Sequence, residues 1–170
     1  SVAARTVNLT LRSTGEGGVF YHVYTKQNIE WSSPAASLKP VPTLTFSVSY
    51  GTNSTSVGTV IGARANVSYI GDAPALQMVL VDIKAPTGFS LDESDFRDLL
   101  TKGTINFYEY LGTTEVYAYI DMMKRNETRT LDYTLAAMQA STSLLQHVKA
   151  WDMYNTSAVA ELAPLEFTSA

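Results

Sequence analysis

Gln77-Met-Val-Leu-Val-Asp-Ile-Lys84, Ala85-Pro-Thr-Gly-Phe89 and Ser90-Leu-Asp-Glu-Ser-Asp-Phe-Arg-Asp-Leu-Leu100 form the stretch on which the fold of this chain turns. The first segment is a nearly continuous apolar run and predicts a strand. Pro86 cannot continue a central ladder and Gly88 tolerates positive φ, so the second segment predicts a turn. The third opens on Ser90-Leu-Asp-Glu93, a capping-box pattern in which Ser90 accepts from the Glu93 amide while Glu93 reaches back. Phe96, Leu99 and Leu100 follow at helical spacing and Gly103 supplies a stop. One short helix at about 91–100 is therefore expected in a chain otherwise patterned for strands.

Outward from this centre the apolar period is two. Thr43-Leu-Thr-Phe-Ser-Val-Ser-Tyr50 places Leu44, Phe46, Val48 and Tyr50 on one face. Residues 62–70 place Ala63, Ala65, Val67 and Tyr69 inward, with Arg64, Asn66 and Ser68 outward. Residues 104–110 are less regular. Residues 115–122 place Val116, Ala118, Ile120 and Met122 together. Lys124-Arg-Asn-Glu127 predicts a charged hairpin turn, and residues 128–138 a long strand with Leu131, Tyr133, Leu135 and Ala137. A penultimate strand is expected over 145–154 and a short final one over 164–167. The fold class is all-β: an antiparallel β-sandwich with one short inserted helix.

Before this domain, Val7-Asn-Leu-Thr-Leu-Arg12, Gly15-Glu-Gly-Gly18 and Val19-Phe-Tyr-His-Val-Tyr24 predict a β-hairpin within residues 1–30. Residues 31–41, with Pro34 and Pro40 and with Pro42 just beyond, read as a connector. The main sandwich is expected over 42–170.

Composition narrows the function classes. The chain is 45% hydrophobic and 16% charged, which excludes a disordered tail. A net charge of −4 without a basic cluster argues against nucleic acid or an anionic membrane surface as partner. No apolar run approaches the ~18 residues needed to span a bilayer. With no cysteine, neither a disulfide framework nor a thiolate metal site is available. Five of the seven asparagines, Asn8, Asn53, Asn66, Asn126 and Asn155, begin Asn-x-Ser/Thr, where chance gives about 1.5. The excess points to an extracellular protein, although polar β-turns also enrich these residues together.

Catalytic, cofactor and metal chemistry are not expected. His22 and His147 lie far apart between apolar strand positions and read as strand-face histidines with local hydrogen bonds. No Gly-x-Ser-x-Gly elbow occurs. Asp92, Glu93, Asp95 and Asp98 lack the spacing of a calcium loop and read as a capped, solvated helix face that complements the helix dipole. Tyr108, Tyr110, Tyr117, Tyr119, Trp151 and Tyr154 read either as cross-strand pairs over the core or as a binding face.

The order of elements resembles the receptor-binding domain that ends proteins of the alpha-2-macroglobulin, complement and thioester-protein family. Strand, small-residue turn, Gly-Phe and short helix match residues 77–100. Val148-Lys-Ala-Trp-Asp-Met-Tyr154 stands where the family has an aromatic-rich run. The hairpin of residues 1–30 is similar to the tail of the CUB-like domain that precedes this one. The resemblance implies a non-catalytic receptor- or partner-binding domain of a secreted protein used in protease trapping or innate defence. Its partners would be the rest of the parent chain and a cell-surface receptor or a protease complex. Vertebrate members carry two lysines on the helix for acidic receptor repeats. Here Arg97 is the helix's only base, flanked by Lys84 and Lys102, so these three cations are the candidate partner-binding residues and that receptor activity is not carried over. The alternative is a structural or adhesive module of a cell-surface protein, with carbohydrate binding as a third reading.

Overall fold

The computed structural model describes residues 43–145, 147–155 and 158–170, together with positions 10, 12 and 14. Apart from those three positions, none of which is in a strand, the expected hairpin and connector lie outside the described residues. The ordered elements run β1 (Leu44–Tyr50), β2 (Ser54–Thr55), β3 (Val60–Tyr69), β4 (Ala75–Lys84), β5 (Phe89–Leu91), α1 (Glu93–Thr101), β6 (Phe107–Tyr110), β7 (Glu115–Lys124), β8 (Thr128–Ala137), β9 (Ser141–Leu145), β10 (Lys149–Asp152), β11 (Val159–Glu161) and β12 (Leu165–Ser169).

A four-stranded sheet ordered β1-β3-β8-β5 faces a five-stranded sheet ordered β11-β10-β4-β7-β6, and a small β2-β12-β9 sheet closes one end. All pairings are antiparallel except β2 with β12. The expected all-β sandwich with one helix is thus the observed fold. Its core takes Ala63, Ala65, Val67 and Tyr69 from β3, Val79, Val81 and Ile83 from β4, Val116, Ala118 and Ile120 from β7, and Leu131, Tyr133 and Leu135 from β8. These are the alternating positions of the sequence pattern, because a strand buried on one face turns every second side chain into the core.

The run 77–84 lies in β4, the middle strand of its sheet, hydrogen-bonded to β10 on one side and β7 on the other. Pro86 and Gly88 make the turn, with the Phe89 amide donating to the Pro86 carbonyl at 3.0 Å. Helix α1 then crosses the open edge between the sheets. Phe96, fully buried, packs on Tyr133 of β8 (6.1 Å between centroids) and Tyr108 of β6 (6.3 Å). Burying such a ring is worth about 2–3 kcal/mol. Gly103, at φ +71°, ends the helix as expected, its amide donating to the Leu100 carbonyl.

Four local expectations are corrected. The helix N-cap is Asp92, whose side chain accepts from the Ser94 amide at 2.8 Å, while Ser90 belongs to β5. The β5–β8 pairing holds Ser90 in extended backbone, so the capping box shifts to a shorter Asx cap. Met122 faces solvent and Met123 is buried, reversing the expected phase at the end of β7. The reversal coincides with Met78 on β4, which has φ +57° and leaves its place opposite Asp121 unpaired. Beyond that kink Leu76 and Met123, rather than Gln77 and Met122, face the core. The strand expected over 145–154 is two strands in different sheets, β9 and β10, separated at His147, which has φ +61°. Leu100, grouped with the buried helix positions, is 38% exposed.

Gly88 combines φ +90° with close packing, since a Cβ there would collide with the Ser141 side chain and approach the Gln139 carbonyl at 3.1 Å. Gly58 has φ +87° with open space around it. Gly88→Ala should therefore cost about 2–4 kcal/mol and Gly58→Ala about 1–2 kcal/mol in urea unfolding. Equal losses would show that steric fit at Gly88 is unimportant.

Candidate partner-binding surface

The three expected cations sit on different elements with different partners. Lys84 ends β4 and is held by Asp82 Oδ2 at 3.4 Å and Glu115 Oε1 at 3.2 Å. Burial pulls its pKa down, but Glu115 and Asp82 outweigh that effect and the net shift is upward. Arg97 projects from α1 and meets Glu93 at 3.8 Å, an exposed i,i+4 pair worth a few tenths of a kcal/mol. Lys102 is the exposed C-cap. It borders a polar groove of about 630 Å³ between α1 and the four-stranded sheet, which also meets Ser49, Arg64, Asp95 and Asp132.

Most of the helix carboxylates have structural partners. Asp92 caps the helix, and its backbone and side-chain bonds to Ser94 hold it below the usual carboxylate range. Asp95 turns inward and accepts from both the amide (2.8 Å) and the hydroxyl (2.7 Å) of Thr134 on β8. Glu93 accepts from the Tyr108 hydroxyl at 3.1 Å. Among the described residues no three acidic or histidine side chains converge on a metal position.

The six aromatics divide. Tyr108 and Tyr110 turn toward the helix, Tyr110 donating to the Leu91 carbonyl at 2.8 Å. Tyr154 is exposed after β10. Tyr117, Tyr119 and Trp151 stand on the outer face of the five-stranded sheet, opposite the core. There the register lines up Phe107 of β6, Tyr119 of β7, Leu80 of β4, Trp151 of β10 and Val159 of β11. This is an apolar row across all five strands. The adjacent row is polar: Glu109, Tyr117, Asp82, Lys149 and Glu161.

The Tyr117 and Trp151 rings meet edge to face at 6.4 Å. Because β7 and β10 flank β4, that contact passes over β4 and covers its outward side chains. Leu80 is 7% exposed and Asp82 only 2%, although neither points into the core. Asp82 Oδ1 is buried without a hydrogen-bond partner. Burial raises the Asp82 pKa to about 6, with Lys84 opposing the rise and Glu115 adding to it. Lys149, directly opposite Asp82 in the ladder, has its ammonium 4.7 Å over the Trp151 ring instead. His147, read from sequence as a strand-face histidine, lies exposed between β9 and β10 with Nδ1 3.4 Å from Glu161.

Sequence reasoning did not single out Asp82, Lys149, Phe107, Leu80 or Val159. The available signal was Asp82 itself, a lone charge inside the apolar run of a central strand. Of the sequons, Asn8 lies outside the described residues. Asn53 donates through Nδ2 to the Glu166 carbonyl at 3.0 Å. Asn66 is half-buried mid-sheet, accepting from Thr130 at 2.7 Å. Asn126 is exposed at the β7–β8 turn with φ +63°, and Asn155 is exposed after β10.

The family model for the A-macroglobulin receptor binding domain matches residues 74–162, just over half of the chain. That span holds β4, α1 and every member of the apolar row. Among solved structures the chain is similar to native alpha-2-macroglobulin from E. coli seen by cryo-EM, with TM-score 0.63, 14% identity, and coverage of 77% of this chain and 10% of that one. A C-terminal fragment of the native E. coli protein gives TM-score 0.64 at 16% identity, covering 82% of this chain and 25% of that one. A Salmonella alpha-2-macroglobulin variant gives 0.61 at 19% identity, covering 79% and 10%. At these identities the likeness shows the fold, and the chain spans between a tenth and a quarter of the length of the chains it matches.

Asp82 also yields a pH dependence. Its pKa is about 6 folded against 3.8 unfolded, so the folded chain holds this proton more tightly. The ionised carboxylate therefore opposes folding. The cost is absent below about pH 4, grows up to about pH 6 and is complete above it, reaching roughly 3 kcal/mol. Asp82→Asn should raise stability by about 1–3 kcal/mol near pH 7.5 and give no gain near pH 4 in urea unfolding. A gain equal at both pH values would show that Asp82 does not titrate in this way.

Proposed function

Because this chain belongs to the A-macroglobulin receptor binding domain family, we propose that it serves as the non-catalytic, C-terminal partner-binding domain of a secreted macroglobulin or thioester protein engaged in protease trapping or innate defence. The observation that carries this reading is the family match over β4, α1 and β10, set in a sandwich where Asp92 caps α1 and Glu93 and Asp95 bond it to β6 and β8. Residues 1–30 are, on this reading, the tail of a preceding CUB-like domain, 31–41 its connector and 42–170 the receptor-binding-type sandwich. The protein acts outside the cytoplasm, secreted or at the cell surface. Among the described residues no helix is long and apolar enough to cross a membrane.

A cell-surface receptor that reads two helix lysines would find one arginine, paired with Glu93, and an exposed Lys102 on α1. Recognition is therefore expected to rest on surfaces that are covered or uncovered as the parent changes shape after protease cleavage, a two-state rearrangement. Amides of α1 and of residues 145–154 should exchange faster in the protease-treated parent than in the native parent. Equal exchange in the two forms would sink the switching role.

The sequons support extracellular placement. In protein secreted from a eukaryotic host, site-resolved mass spectrometry should find glycan at Asn126, on an exposed turn, ahead of Asn66, whose side chain is bonded within the sheet. Preferential occupancy of Asn66 would contradict this order.

A further inference from the structure

We propose that the outer face of the five-stranded sheet is where a neighbouring domain of the parent macroglobulin docks, seating apolar side chains on the row Phe107, Tyr119, Leu80, Trp151 and Val159 and moving the Lys149 ammonium from the Trp151 ring to the unpartnered oxygen of Asp82. The proposal rests on the reading that this chain is one domain of a larger macroglobulin.

Three observations converge on this face. The outer side of an antiparallel sheet normally faces water with polar residues. Here one complete cross-strand row is apolar, and Phe107 at its edge is 54% exposed. The neighbouring row and its surroundings are charged, with Glu109, Glu161, Glu115 and Lys84 about the apolar strip. An apolar centre with a polar rim is the anatomy of a protein interface. Finally, Asp82 Oδ1 is a buried acceptor left unsatisfied, an arrangement that native proteins rarely keep without a use.

Lys149 links the two rows. It stands opposite Asp82 in the β4–β10 ladder, where facing side chains are ~5 Å apart at Cβ. Its ammonium lies over Trp151, on the surface that an apolar partner would occupy. Displaced by that partner, it has a carboxylate oxygen within reach that needs a donor. A cation leaves the apolar row and a buried acceptor is satisfied in the same movement. The occupant is a domain of the same polypeptide because this chain is only a tenth to a quarter of the matched macroglobulins. A tethered neighbour is present at high effective concentration.

Asp82 is faced by Lys84 on its own strand, Glu115 and Tyr117 on β7 and Lys149 on β10, while Glu161 beyond Lys149 is met by His147. Arrival of Lys149 favours the ionised carboxylate. Docking is then strongest above about pH 6 and weakens as Asp82 takes up its proton below that.

The test is hydroxyl-radical footprinting of the full-length native parent and of the 170-residue chain, each at about pH 7.5 and about pH 5. Phe107 and Trp151 should react at least about fivefold more slowly in the parent than in the isolated chain at the higher pH. That protection should fall at the lower pH, and in an Asp82→Asn parent it should no longer depend on pH. Equal reactivity in parent and chain would overturn the docking. Protection that ignores pH in the wild type would overturn the Lys149 exchange. Protection that appears in the isolated chain as a concentration-dependent dimer would make a second copy the occupant and overturn the proposal. Should α1 amides still differ between native and cleaved parent while Phe107 and Trp151 react equally in native parent and isolated chain, the domain reading stands and this inference falls. Should neither differ, both fall.

Discussion

The structure depends on keeping β4 dry on both faces although its sheet is packed on only one. Inside, Val79, Val81 and Ile83 are fully buried against the four-stranded sheet. Outside, among the described residues, no second layer of secondary structure covers it. The cover comes from its own neighbours, Tyr117 of β7 and Trp151 of β10, whose rings meet above the strand. The central ladder is thereby shielded on each side while its edges are hydrogen-bonded to β7 and β10. Shielding that includes an aspartate carries a cost, because a carboxylate removed from water loses hydration that a single cation at 3.4 Å only partly replaces.

Helix α1 solves a different problem. A two-sheet sandwich leaves open edges, and α1 closes the one between β6 and β8 with Phe96. Its acids serve the same end. Asp95 ties the helix to Thr134 on β8, and Glu93 ties it to Tyr108 on β6. A helix stitched to both sheets through its carboxylates has few groups left to present to a partner. The aromatic sheet face, on the other side of β4, carries the more distinctive recognition chemistry.

Polar and apolar demands meet at Asp82. Glu115, Lys84 and Lys149 surround it, yet one oxygen has no donor and Lys149 prefers an aromatic face. In the docking proposed above, the Lys149 cation exchanges between two arrangements that differ in what must be covered. That is the kind of element by which a surface can respond to being docked or exposed.

Much of the fold was legible in the chain. The alternations of β3 and β8, the turn at Gly88, the helix around Phe96 and its stop at Gly103 follow from local rules of side-chain direction and backbone freedom. The order of elements likewise carried the family. The same local rules failed where a distant contact outvoted them. Ser90 lost the cap because β8 held it in a strand. The β7 pattern changed phase because Met78, across the ladder, took a left-handed turn. Residues 145–154 split because two sheets competed for them. The outer face lay beyond sequence reading altogether. Leu80 meets Trp151 and Tyr119 meets Phe107 only through strand register, and periodicity specifies which face a residue takes but not which residue stands beside it. The sequence by itself determined the longer alternating strands, the helix and the kinship. Only the tertiary structure decided that an acid in an apolar strand would be buried on the outer face, because its burial depends on two rings brought over it from neighbouring strands.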